Sequence, residues 1–347
     1  MKNDKIREEI DFVIAWVDGS DPLWINERKK YDSNPNNNEV RFRDWGLLRY
    51  WFRCVEKNTP WVRKIHFVTW GHVPAWLDTD HPKLHIVKHT DFIPEKYLPT
   101  FNSHTIELNL HRISGLADQF VYFNDDMFLT DEVQADYFFK NGLACDAFQL
   151  NPIQFVKDGI GWINGSNIAV INEHFKMREV IKKNFFKVFH YHNGLKRNFK
   201  TLMLSILVPW FPGLNYWHLT TAFLKETFNE VWKAEPEIMD ETCSCRFRSK
   251  SNVSQYLIKN WQLCTGRFEP MSVASGHCYH LDDKMAIQAA EDIRQHKYKL
   301  ICLNDTEKIR DLETCKKVLQ ESFAEVYPDV SSFEKQMDDP ESIIYIH

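Results

Sequence analysis

The densest chemical signal in the chain is Asn124-Asp125-Asp126, three polar residues that close the apolar run 120–123. Two adjacent carboxylates at the end of a buried strand offer hard oxygen ligands, suited to a divalent cation that in turn holds a diphosphate. Turn chemistry alone also favours Asn and Asp at such a point. Upstream, Glu107 and His111 lie four residues apart and share one face of a helix-like run that carries Arg112 and is preceded by the polar pair Asn102-Ser103. Asp18, Gly19 and Asp21 belong to DGSDP, directly after the apolar segment 10–17. That is where an open α/β sheet receives ligands, although both acids serve equally well as turn and helix caps. The glycine pattern is not GxGxxG, so a dinucleotide fingerprint is absent. His218 follows a Pro/Gly loop, and a lone His is as readily structural as catalytic. Arg246-Phe247-Arg248-Ser249-Lys250 is a compact basic cluster ahead of a helix-like run. Cations suit a helix start poorly unless a phosphate sits among them, the alternative being a solvated run.

These groups need a frame that brings them to one edge. Segments 10–17, 64–69, 84–88 and 120–123 read as buried strands, and helical spacing separates them: 41–58, about 103–116 beginning with Ser103 as N-cap, and about 219–232 with His218 at its entry. Arg41 and Arg43 are candidates to reach a phosphate. Strand–helix alternation predicts an α/β fold, a Rossmann-like and mostly parallel sheet flanked by helices. Residues 1–172 form the first part of this core, 173–214 a helical basic-aromatic insertion or lid, 215–284 the second part, and 285–347 a helical C-terminal region. Within the first part, 145–172 reads as strands and Gly-rich loops, with Trp162, Asn164, Ser166 and Asn167 as sugar-pocket candidates.

Composition narrows the classes. The net charge is -5, which argues against a nucleic-acid binder. The 12 Trp, 12 Tyr and 25 Phe fit a large core, a sugar-stacking surface or a membrane interface. The eight cysteines show neither C-x-x-C spacing nor a zinc-knuckle pattern, and the charged N-terminus lacks the apolar stretch of a signal peptide. Reduced thiols and a cytoplasmic location are the expectation. No run of about 18 apolar residues exists, so no spanning helix is expected. Segment 202–211 is too short to span. With the basic-aromatic stretch before it, it reads either as a buried helix beside a surface helix or as an interfacial anchor at the inner face of the membrane.

Four blocks carry a family resemblance: IDFVIAWVDGSDPLW; the long stretch from RFRDWGLLRYWFRCVEKNTPWVRKIHFVTW to NSHTIELNLHRISGLADQFVYFNDDMFL; NYWHLTTAFLKETFNEVW; and RFRSKSNVSQYLIKNWQLCTGRF. In these the chain resembles the Stealth family, sugar-1-phosphate transferases of bacterial capsule synthesis related to the catalytic subunit of the eukaryotic N-acetylglucosamine-1-phosphotransferase. The third block departs from the family pattern: Tyr216-Trp217 stand where a second His and Pro often occur. The resemblance implies a GT-A-like fold and transfer of a sugar-1-phosphate from a UDP-sugar to a saccharide hydroxyl, with release of UMP rather than UDP. It also implies Mg²⁺, with Mn²⁺ as a substitute, held by Asp125 and Asp126. His218, Asp126, Arg112 and Arg248 are then the expected catalytic residues. Asp18, Gly19, Asn102, Ser103, Glu107, His111, Asn124 and Arg246 are expected to bind substrate. The acceptor is expected to be a growing saccharide, lipid-linked or free, met at the membrane or in a capsule-assembly complex.

Overall fold

A computed structural model describes residues 9–32, 42–157, 159–336 and 342–346. Arg41 lies outside them. The centre is a five-stranded sheet in the order Leu84–Lys88, Ile65–Thr69, Ile10–Ala15, Gln119–Asn124, Thr221–Leu224. The first four strands run parallel and the last is antiparallel. The expected α/β, mostly parallel sheet flanked by helices is what the chain forms. Alternate residues explain the unbroken apolar strands: Phe12 and Ile14 face one hydrophobic cluster, Val13 the other. In the same way Val121 and Phe123 oppose Phe120 and Tyr122. Both faces are covered, so both are largely apolar, with Asp11 and His66 as buried exceptions. Trp51, Phe52 and Val55 of helix Leu48–Asn58 fill one side; Leu108, Phe228 and Leu257 belong to the other.

The chain runs outward from Ile10–Ala15 to Leu84–Lys88 and then returns to the opposite side of Ile10–Ala15. The reversal leaves a crevice at the carboxyl ends of Ile10–Ala15 and Gln119–Asn124, where Ala15 and Asn124 are register partners. Residues 125–126 turn the chain out of this sheet into Met127–Leu129, which pairs antiparallel with Leu300–Asn304; that strand pairs in turn with Gly276–His280.

Several local expectations need correction. Segment 219–232 is not one helix. Thr221–Leu224 is a fully buried strand, and the helix begins only at Lys225. Its Thr-Ala-Phe-Leu run is short and apolar, a pattern that fits helix and strand alike, and pairing with Gln119–Asn124 decides it. The helix expected over 103–116 covers Ser103–Asn109, followed by a 3-10 turn through Arg112; its N-cap is Asn102, not Ser103, with the Asn102 side chain accepting from the His104 amide at 3.1 Å. Residues 161–172, expected as strands and Gly-rich loops, belong to helix Gly161–His174, so Trp162, Asn164, Ser166 and Asn167 lie on a helix; Asn167 is buried against Ser254. The helix expected from 41 starts at Leu48. The C-terminal region supplies helices Asp283–Arg294 and Leu312–Val326, and also the strand Leu300–Asn304.

One buried acid ties three strands together. Asp11 accepts from Arg63 Nε at 2.8 Å and from the Ala117 amide at 2.8 Å, and it lies 3.0 Å from His66 Nε2. Burial alone would raise its carboxyl, but His66, Arg63 and the Ala117 amide outweigh this and hold it below the ordinary 3.8. A depressed folded value means that the stabilisation is present above the ordinary value and is lost as pH falls through the folded one. Asp11→Asn should therefore cost about 2–3 kcal/mol at pH 7. Melting curves should show the gap to the parent protein closing below pH 4.

Candidate active site

Asp126 is the centre of the crevice. Its Oδ2 lies 3.7 Å from His218 Nε2 and accepts from the Cys302 thiol at 3.3 Å. Its main-chain oxygen accepts from Leu303 at 2.8 Å, which fixes the turn to the neighbouring strand. Its Oδ1 is buried and has no protein partner. Asp125 is exposed at the tip of the turn. Lost hydration, with the Asp126 charge alongside, pushes its carboxyl up to about 7. Two acids in this state are suited to a divalent cation, and the unpartnered Oδ1 is an oxygen available to it.

His218 sits in the loop between helix Leu195–Leu207 and strand Thr221–Leu224, so the edge strand carries it to Asp126. Burial works against protonation of its ring, but Asp126 prevails, with Cys278 and Glu107 adding to it, and the imidazole is raised above its ordinary value. Cys278 and Cys302 are register partners on adjoining strands. Burial, Cys278 and Asp126 push the Cys302 thiol well up, so it stays a protonated donor. The ligand atoms of Asp126, His218 and Cys302 all lie within 4.8 Å of one another.

Glu107 closes the opposite wall. It is buried, with Oε2 at 3.3 Å from His104 Nδ1. Burial alone would raise its carboxyl; the His104 ring and the Arg248 guanidinium hold it below the usual range. Arg248 donates to the Ser103 hydroxyl, at 3.1 Å from Nε. Burial raises the Tyr122 hydroxyl well above its ordinary value, with the charges of Glu107, Asp125 and Asp126 adding to this and Arg248 opposing it.

The structure thus joins Asp125, Asp126, His218, Glu107, Ser103 and Arg248, with Asn124 closing the strand beside Ala15. It does not join Arg112 to them. Ser103 and Arg112 stand at opposite ends of one helical stretch, roughly 13 Å apart at 1.5 Å per residue. Arg112 is solvated over the Trp232 ring, near where strand Gln119–Asn124 begins rather than where it ends. His111 is likewise away from the turn. It stacks on Phe228, and burial beside Arg112 and Lys225 pushes it down to about 3, a neutral packing residue. Arg246 lies over the Tyr31 ring. Asn102 is fully buried as a cap and bonds Asn252.

The DGSDP loop is built by hydrogen bonds within the protein. Asp18 Oδ1 accepts from the Ser20 amide and hydroxyl. Asp21 caps helix Pro22–Lys29, bonds His72 Nδ1 at 2.6 Å and accepts from the Tyr345 hydroxyl. His72 Nε2 accepts from the Asp18 amide at 2.8 Å, so one ring clamps both ends of the loop. Gly19 is required for packing: a Cβ there would come 2.3 Å from the Phe42 carbonyl oxygen. The cap reading of Asp18 and Asp21 accounts for these contacts, and for Gly19 the contact is with protein.

Sequence reasoning missed Cys278 and Cys302; Cys302 lies in the short apolar run 300–303, Cys278 lies between His277 and Tyr279, and no metal-like cysteine spacing marks either one. All eight cysteines are free thiols.

Comparison with known proteins follows the same lines. Models of Stealth protein conserved regions 1, 2 and 4 match residues 8–35, 41–146 and 291–343. Region 4 therefore falls on the C-terminal helices and strand, not on the block 246–268 that had been taken as the fourth. The chain is 38% identical over 344 residues to the capsular polysaccharide phosphotransferase WcwK of Streptococcus pneumoniae, covering 97% of this chain and 100% of the relative. It is 37% identical to the receptor polysaccharide phosphotransferase WefC of Streptococcus gordonii, covering 94% and 99%. It is also 37% identical to the exopolysaccharide phosphotransferase cps2G of Lactiplantibacillus plantarum, covering 94% and 96%. Among solved structures, the galactosyltransferase LgtC aligns over 93% of this chain and 96% of its own with a TM-score of 0.39 and 11% identity.

Proposed function

The chain belongs to the Stealth family, and from that premise we propose that it transfers a sugar-1-phosphate from a UDP-sugar to a saccharide hydroxyl during capsular or exopolysaccharide synthesis. N-acetylglucosamine-1-phosphate is the first candidate for the group moved. The observation that carries the reading is the meeting of His218, Asp126 and the Glu107–Arg248 wall at one sheet edge. With Nε2 facing Asp126 Oδ2, the His218 Nδ1 is the nitrogen left to take the proton of the acceptor hydroxyl. The acceptor oxygen bonds to the β-phosphorus, the phosphoanhydride P–O bond breaks, and UMP leaves. Arg248, held by Ser103, offers its planar fork to diphosphate oxygens. Glu107 keeps Arg248 and His104 oriented. Asp125 and Asp126 Oδ1 fit Mg²⁺ or Mn²⁺ by their donor chemistry, and such a cation would neutralise charge on the diphosphate.

Product analysis tests this. Purified protein with UDP-sugars, Mg²⁺ and a capsule oligosaccharide should release UMP and form a phosphodiester. Release of UDP with a new glycosidic bond would mean that the C1–O bond breaks instead, making the enzyme a metal-dependent glycosyltransferase.

A further inference from the structure

Helix Leu195–Leu207 carries its apolar stripe on the wrong side for a core helix. Leu195, Phe199, Leu202, Met203 and Ile206 follow the i, i+4, i+7, i+8, i+11 spacing of a single face. Yet Leu195 is 91% exposed, Phe199 64% and Ile206 60%. The inward side is the one with Thr201, whose hydroxyl accepts from the Leu150 amide, and Leu204, which packs against the core. The helix is not buried. Arg178 donates to the carbonyls of Ser205 and Ile206 at its C-terminal end, so the helix is pinned with its apolar stripe outward. Trp210, just beyond, is 58% exposed. Monomeric soluble proteins rarely present such a contiguous patch without a use for it.

Charge identifies the occupant. From 180 to 211 the chain has six cations, Lys182, Lys183, Lys187, Lys196, Arg197 and Lys200, and no Asp or Glu, in a protein of net charge -5. Lys187 is held by the Gly266 and Phe268 carbonyls; the apolar side chains, flanked along the helix by Lys196 and Lys200, match an anionic lipid surface, where the rings and aliphatic groups enter the interface and the cations meet head groups. We propose that this face docks the enzyme on an anionic membrane. The docking helix adjoins the candidate active site through its inner side: the Arg197 guanidinium, on the Thr201 side of the helix, lies 5.0 Å from the Trp217 ring centre, and Trp217 precedes His218. Docking would therefore hold the acceptor crevice near the bilayer surface, where a lipid-linked saccharide would be presented. That last step rests on the proposed reaction; the docking itself does not. No helix among the described residues is long and apolar enough to cross a membrane, so the attachment is by one face.

The full chain should co-float, without substrate, with vesicles containing phosphatidylglycerol far more than with pure phosphatidylcholine vesicles, and salt should weaken binding. The Phe199→Ser/Ile206→Ser variant should lower partition at least about tenfold. Lys196→Gln/Lys200→Gln should lose the preference for anionic lipid. Melting temperatures and turnover with a short water-soluble acceptor should stay at parental values, which separates docking from catalysis. Equal, weak partition of parent and variants on both vesicle types would overturn the proposal. So would a dimer in sedimentation that Phe199→Ser/Ile206→Ser abolishes, since the patch would then belong to a second copy.

Discussion

Asp126→Asn should lower turnover by about three orders of magnitude while leaving the fold in place. The substitution keeps the size of the side chain and an oxygen for the Cys302 thiol, so the turn and its bond to Leu303 have no reason to move. What it removes is the charge. That charge faces His218, and the same carboxylate supplies the buried, unpartnered Oδ1 that fits a divalent cation. General-base assistance and cation binding each contribute about 10²-fold or more, and both draw on this one group. Steady-state UMP release at saturating donor and Mg²⁺ is the measurement, with a thermal melt as control. In the metal-free variant Asp125 also loses the neighbour that helps lift it, so carboxyl NMR should find it titrating below the value of about 7 that it has beside Asp126. Turnover within tenfold of the parent enzyme would remove Asp126 from the centre of the reaction.

His218→Gln is the second large expectation: a fall in kcat of about 10²–10³ with the KM for the donor changed no more than a few-fold. Among the described residues the ring is the one imidazole paired with Asp126, and Gln retains hydrogen-bonding capacity while losing the proton acceptor. The pH–rate profile separates a base from a residue that merely fills space. The parent rate should rise as the imidazole loses its proton, and this limb should vanish in the variant. A large loss of kcat with the limb intact would assign the proton to another group and leave His218 as a positioning residue.

How much of this was legible in the sequence depends on the range of the interaction that decides each element. The parallel core was legible because both sheet faces are covered, which leaves 10–15, 65–69 and 119–124 as mostly apolar runs, interrupted inside by Asp11 and His66. The Asn124-Asp125-Asp126 turn was legible because it closes such a run. Thr221–Leu224 was misread because four apolar residues ahead of a good helix look like its first turn; only the edge of a strand a hundred residues earlier makes them a strand. Arg112 stands apart from the other site residues for a related reason. Sequence proximity to the acid turn suggested spatial proximity, but a helical stretch followed by a strand carries the chain down the sheet and back, leaving the residue at the far end. Cys278 and Cys302 could not be linked to Asp126 at all, because their approach depends on strands pairing between distant parts of the chain. Helix Leu195–Leu207 was visible as an apolar, basic segment, but which face it would turn outward was decided by Thr201 and Arg178.

The clamp on the DGSDP loop has a consequence in time. Asp21 takes its last hydrogen bond from Tyr345, 324 residues downstream, and Cys302 reaches Asp126 across 176. A chain emerging from the ribosome at about 5–20 residues per second would have had its central parallel strands available for tens of seconds before either contact could form. The scaffold can therefore assemble early, while the crevice that needs residues from five separate stretches closes last. Nascent chains arrested before residue 300 should be compact and protease-resistant in the sheet, yet lack the Cys302 and Leu303 contacts that fix the Asp126 turn.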